Sequence, residues 1–154
     1  MLGACMDSRW PSSLEVLVEV PKGARIRRDD AGRVELISPL RCPFNYGSVP
    51  GTCAPDGERE DVVLLGPPLP RGARVVAPLH AQVRFVDAGV PDAKWVCGDA
   101  PLTPADVSRI ERFFRFYAAV KRVARLARAT VGSVGSGGAG ARSGPTRFEG
   151  LVYR

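Results

Sequence analysis

Apolar residues recur at short, near-alternating spacing over the first two thirds of the chain and at steps of three and four after it. Leu14-Glu-Val-Leu-Val-Glu-Val20 alternates in part, and Arg33-Val-Glu-Leu-Ile37 does so again behind the turn sequence Asp29-Asp30-Ala31-Gly32. Both read as strands with one buried face. Asp61-Val-Val-Leu-Leu65 is a continuous apolar run stopped by Gly66-Pro67-Pro68, the pattern of a strand covered on both faces. Arg74-Val-Val-Ala77 and Gln82-Val-Arg-Phe-Val86 stand on either side of Pro78, and Lys94-Trp-Val-Cys97 follows. Short strands joined by Gly and Pro turns predict a small barrel or sandwich.

One helix breaks this rhythm. Thr103-Pro104-Ala105-Asp106 offers an N-cap, a proline at the first helical position and an acid in the first turn. Val107, Ile110, Phe113, Phe114 and Tyr117 then form an apolar stripe that faces the sheet. The stripe continues through Val120, Val123 and Leu126 with Arg and Lys opposite, and stops before the glycine-rich stretch from Gly132 to Gly140. This organisation predicts an N-terminal extension over 1–13, a barrel plus helix over 14–131 and a flexible Gly-rich tail over 132–154, within a mainly β (α+β) fold.

Composition narrows the function classes. At 154 residues, 45% hydrophobic and 25% charged, the chain suits one domain. No apolar run is long enough for a membrane span, and the first residues lack the apolar block of a signal peptide. A cytoplasmic protein without membrane contact is the expectation. The net charge of +6 suggests nucleic acid until it is located. From Ala118 onward seven Lys or Arg face the single acid Glu149, so the remainder is neutral. A phosphate-tracking surface across the fold therefore loses its support. Cys5, Cys42, Cys53 and Cys97 form no C-x-x-C pair, and His80 is the only histidine. Reduced thiols are expected rather than a zinc site.

Candidate chemistry lies in two acidic turns. Asp56-Gly57-Glu58-Arg59-Glu60-Asp61 precedes the buried strand, and Asp87 to Lys94 carries Asp87 and Asp92 in a later connection. Carboxylates at steps of two and three around a Gly turn can converge their oxygens, which suits hard cations such as Mg²⁺. Asp56, Glu58, Asp61, Asp87 and Asp92 packed together would repel strongly without such cations.

Five blocks in order resemble the soluble family I inorganic pyrophosphatases. Glu19-Val-Pro21-Lys22-Gly23 is similar to the family's E-[IV]-P-K-G strand, and Pro43-Phe-Asn45-Tyr46-Gly47-Ser-Val-Pro50-Gly-Thr52 to its P-x-N-Y-G-x-[IV]-P-x-T segment. Asp56-Gly57-Glu58 to Asp61-Val62 resembles D-G-D-P-x-D-V, Asp87 to Lys94 the D-x-x-G-x-x-D-x-K loop, and Phe113-Phe114-Arg-Phe-Tyr117 the F-F-x-x-Y helix. The resemblance implies an OB-like five-stranded closed barrel with one or two flanking helices. It also implies Mg²⁺-dependent hydrolysis of pyrophosphate to two phosphates. By position, Asp56, Asp61, Asp87 and Asp92 would hold metal, Glu19 and Asp30 would bind or orient it through water, and Glu58 would activate the attacking water. Arg28, Tyr46, Lys94 and Tyr117 would hold the phosphates. Bacterial members are typically hexamers, so a homo-oligomer stays open.

Departures from the family fall in this site. Glu58 replaces an Asp and Arg59 a Pro; Cys42 stands in place of a phosphate-contacting Tyr and Ala118 in place of a Lys. The segment from Gly32 to Cys42 lacks the family's Asp-Arg pair, for which Arg41 is the substitute at hand. The family's closing strand and C-terminal helix give way to the Gly-rich tail. Simpler roles are open to several of these residues: Tyr46 and Tyr117 as core, Glu19 as a solvent-facing charge, Lys94 as a strand-edge charge, His80 as a satisfied structural histidine, Trp10 and Trp95 as packing. Three functions follow from the pattern: an inorganic diphosphatase, a degenerate relative that binds metal or phosphate without turnover, and an OB-like module for single-stranded nucleic acid that uses the basic tail.

Overall fold

Strand pairing accounts for most of the apolar pattern. The computed structural model describes residues 10–28, 31–37, 40–131 and 144–154. Among them run β1 (Ser13–Val20), β2 (Ile26–Arg28), β3 (Val34–Ile37), β4 (Asn45–Ser48), β5 (Asp61–Leu64), β6 (Arg74–Asp87), β7 (Val90–Pro91), β8 (Lys94–Cys97), α1 (Pro104–Val131) and β9 (Arg147–Tyr153). β1 pairs with β4, β4 with β5, β5 in parallel with β8, β8 with β6, and β6 returns to β1. The pairings close a ring of five strands, the OB-like barrel expected from the resemblance, with α1 as the flanking helix among the described residues. β2 and β3 form a separate antiparallel hairpin.

Two strand expectations change. The segments on either side of Pro78 are one strand, β6, which serves β1 with its first half and β8 with its second. The last β1 partner is Ser13, opposite Pro78, and the first β8 partner is Cys97, opposite Leu79. Proline's missing N–H therefore falls where the strand changes neighbours, and its carbonyl accepts from the Gly98 N–H at 3.1 Å. The second change lies in the tail. Residues 147–153, assigned by the sequence to the Gly-rich segment 132–154, form β9 antiparallel to β6 from Ala81 to Val86, so a closing strand is present. A bulge hides it: Gly150 faces Arg84 while Phe148 faces Phe85, leaving Glu149 as the extra residue. Phe148 and Leu151 consequently turn to the same core although they are three apart in sequence.

The barrel holds apolar clusters on two sides. Val16, Val18, Val62, Leu64 and Leu79 fill one, with Trp95 at its margin and Trp10 edge-on to that indole at 5.3 Å. Phe44, Val63, Val83, Phe85 and Val96 fill the other, where Ile110, Phe114 and Ala118 of α1 seal it. The helix begins as expected. The Asp106 N–H donates to Thr103 Oγ1 at 3.1 Å, and Thr103 N–H donates back to Asp106 Oδ2 at 3.0 Å, a reciprocal cap. Gly47 in β4 is obligatory, because a Cβ there would lie 1.9 Å from the Leu17 carbonyl oxygen of the adjacent strand. His80 is structural, its Nε2 donating to the Gly98 carbonyl at 2.7 Å.

Candidate active site

Register, rather than sequence proximity, assembles the centre of the site. Asp61 opens β5 and lies opposite Lys94, which opens the parallel strand β8. Asp92 stands two residues before Lys94, and residues at that spacing in an extended chain share a face. Lys94 Nζ donates to Asp61 Oδ2 and to Asp92 Oδ1, each at 2.5 Å. The lysine is 1% exposed and its two carboxylates 19% and 13%. One ammonium between two carboxylates leaves the trio at −1, a buried excess that attracts a further cation.

The first acidic turn approaches β5 and is held by its own hydrogen bonds. Asp56 Oδ1 accepts from the Glu58 N–H at 3.0 Å, and the Ala54 N–H donates to the Glu58 carbonyl at 2.7 Å. Thr52 Oγ1 accepts from the Glu60 N–H at 3.0 Å. Order in this turn therefore does not depend on the missing proline, and Glu58 projects as an exposed side chain. Glu19 of β1 is not a bare surface charge: Ser48 Oγ donates to its Oε1 at 2.9 Å and Arg59 approaches the same oxygen at 3.4 Å.

Asp87 belongs to a different cluster. Its Oδ2 accepts from Lys121 Nζ of α1, and its Oδ1 from Thr146 Oγ1 at 3.1 Å, just before β9. Burial pushes the Asp87 carboxyl up, but the Lys121 bond and charge, with Thr146 and Arg125, hold it below the usual carboxylate range. Burial likewise pulls the Lys121 ammonium down, and Tyr117 and Asp87 more than offset that pull, raising it above its ordinary value.

The expected phosphate-binding groups are less complete. Tyr46 and Tyr117 are half-buried against the core, the Tyr117 ring lying 5.6 Å from that of Phe85. Arg28 stands in β2 with its side chain outside the description, and Asp30 falls outside the described residues. Lys94 turns to the carboxylates rather than outward. Cys42 is buried, its thiol pushed up to about 11 by burial against a backbone bond from Phe44, so it stays neutral. Ala118 is sealed in the core. Arg41 donates to the Gly23 carbonyl at 3.0 Å.

Sequence reasoning missed Lys121 and Thr146. A signal existed for Lys121, one helical turn beyond Tyr117 and on its face, with its ammonium 5.0 Å from the Tyr117 ring centre. Thr146 carried none, because its partner acid is 59 residues away.

The donor set suits a hard divalent ion. Among the described residues no three Asp, Glu, His or Cys side chains gather tightly enough to enclose one. Mg²⁺, however, is commonly held by one or two carboxylates together with water and substrate phosphates. Asp61 and Asp92, converged on one cation, provide that pair.

The family model described as inorganic pyrophosphatase matches residues 16–132. An inorganic pyrophosphatase of Gluconobacter oxydans is 28% identical over 95 residues, covering 56% of this chain and 55% of that protein. One of Haemophilus influenzae is 34% identical over 92 residues, covering 54% and 52%. The chain thus spans about half the length of these curated relatives. Among solved structures, an inorganic pyrophosphatase from Neisseria gonorrhoeae superposes with a TM-score of 0.66 at 25% identity, covering 91% of this chain and 82% of that one. The Thermus thermophilus inorganic pyrophosphatase shares the fold with a TM-score of 0.66 at 22% identity, over 99% and 88%. The matched region takes in both acidic turns and the whole of α1, and the chain belongs to the inorganic pyrophosphatase family, which implies a divalent-metal cofactor.

Proposed function

We propose that the protein hydrolyses inorganic pyrophosphate to two phosphates with Mg²⁺ as its cofactor. The observation that carries this reading is the pair Asp61 and Asp92 fixed on a single buried cation, with the turn that bears Asp56 and Glu58 leading directly into Asp61. Asp61 and Asp92 would hold the ion, with Glu19 orienting its water. When bound, Mg²⁺ supplies charge neutralisation at the phosphate oxygens and makes a coordinated water more acidic.

The chain's own residues do the rest. Glu58 takes the proton of the attacking water, a general-base contribution of about 10²–10⁴-fold. The water oxygen bonds to one phosphorus as the bridging P–O bond breaks, and the bridging oxygen departs with the second phosphate. Tyr46 and Tyr117 would steady the phosphate oxygens. Lys94 acts through its neighbours: its ammonium keeps Asp61 and Asp92 at a fixed separation. That is a positioning role.

A colorimetric assay of phosphate release from pyrophosphate, with and without Mg²⁺, tests the reading. Release is expected only with the metal and falls by about a hundredfold or more in Asp61→Asn. No release above the metal-only blank, from folded protein, overturns it. The neutral buried Cys42 and core-bound Ala118 favour one second reading, a subunit that binds metal or phosphate without turnover. Calorimetric Mg²⁺ binding without phosphate release would select it.

A further inference from the structure

Asp87 is one of the four acids that the resemblance assigns to metal, yet protein groups occupy both of its oxygens. Lys121 Nζ takes Oδ2 and Thr146 Oγ1 donates to Oδ1. The arrangement is fixed on every side. Thr146 is 3% exposed, and its hydroxyl also accepts from the Ala88 N–H at 3.0 Å and from Arg125 at 2.9 Å. The chain leading into β9 lies tightly on the β6–β7 turn: the Gly89 N–H donates to the Pro145 carbonyl at 2.9 Å, and a Cβ on Gly144 would meet Gly89 Cα at 2.6 Å. Lys121 is braced in turn by the Tyr117 ring beneath it.

Charge separates this cluster from the one at Lys94. Asp61, Asp92 and Lys94 sum to −1, whereas Asp87, Lys121 and Arg125 sum to +1. A divalent ion approaching Asp87 meets a net positive field and must displace an ammonium already in contact, while shedding its own tightly held water. Because α1 delivers the lysine, the ammonium needs no recruitment from solution.

We propose that Lys121 is a tethered cation that stands in for a metal ion at Asp87, so that the protein binds one divalent ion fewer than its carboxylates would otherwise hold. The inference rests on the metal-binding reading above and makes Lys121 the residue that sets metal stoichiometry.

Mn²⁺ titration of the full chain, read by electron paramagnetic resonance and calorimetry, tests it. Lys121→Met and Lys121→Gln are each expected to gain one Mn²⁺ per chain, with the added ion bound at least tenfold more tightly than any ion beyond the wild-type complement. Lys121→Arg, which keeps the charge, retains the wild-type number. The glutamine variant preserves a hydrogen bond to Asp87, which maintains the fold without the charge. Unchanged stoichiometry with affinities within twofold, in folded Met and Gln variants, overturns the proposal and leaves the diphosphatase reading standing. Failure of all four proteins to bind Mn²⁺ overturns both. Normal metal titrations without phosphate release overturn the reaction alone.

Discussion

Two lysines in this fold clasp carboxylates, and their surroundings give them opposite consequences. Lys94 comes from a central strand, is flanked by acids through strand register and periodicity, and is outnumbered two to one. Lys121 comes from a helix, meets one acid, and has Arg125 and Thr146 beside it. The first cluster keeps a negative excess and attracts a cation; the second is already compensated. On the proposed reading, local charge balance, more than the number of acids along the chain, decides which carboxylates remain available to metal.

The sharpest way to break that contrast is Lys94→Met. Removing the ammonium leaves two mostly buried carboxylates facing each other, a loss of about 3–5 kcal/mol in stability. Thermal unfolding should show the drop, and Mg²⁺ should recover more stability in the variant than in the wild type, since it replaces the missing charge. Saturation at about a hundred times Kd returns roughly 2.7 kcal/mol. A variant that unfolds at the wild-type temperature, or is indifferent to Mg²⁺, would remove the distinction between the clusters.

Thr146→Val probes the compensated side with a smaller effect. It deletes a hydroxyl that serves Asp87, the Ala88 N–H and Arg125 at once. A buried donor or acceptor left without a partner costs about 1–3 kcal/mol. At about 2–4 °C per kcal/mol for a chain of this size, calorimetry should resolve the shift. No change would mean that β9 is anchored by its ladder with β6 alone.

Much of this was legible in the sequence, and what was not has identifiable causes. Alternation and apolar runs reveal β1, β3, β5 and β8, and Thr103-Pro104 with the Ile110, Phe114 stripe reveals α1, because these signals are local. The bulge at Glu149 breaks the alternation of β9, and Pro78 divides β6 into two apparent strands although it costs the ladder little where the pairing changes. In the site, Asp92 and Lys94 sit two apart and are readable as neighbours. Asp61 joins them only through the parallel register of β5 and β8, and Lys121 reaches Asp87 across 34 residues. Family resemblance grouped Asp61 with Asp92 as metal ligands but gave Lys94 to the phosphates. It was silent on the pairing of Lys121 with Asp87, which belongs to this chain's own helix.

The smallest expected effect concerns Glu58, the exposed acid of the turn that leads into Asp61. Asp56 Oδ1 pins the Glu58 N–H at 3.0 Å, so the backbone of that turn cannot retreat freely to absorb a longer side chain. Relative to Asp, Glu58 carries its carboxylate about one C–C bond farther out, roughly 1.5 Å. Displacement of a reacting group by about 1 Å can cost on the order of a hundredfold in rate, although the free rotors of an exposed side chain recover part of it. Glu58→Asp is therefore expected to raise kcat for phosphate release by about tenfold with KM little changed, since proton removal rather than substrate binding improves. Equal rates for the wild type and the Glu58→Asp variant would show that the turn has already adjusted to the longer side chain, and a fall in rate would show that the extra methylene is what brings the base within reach of the water.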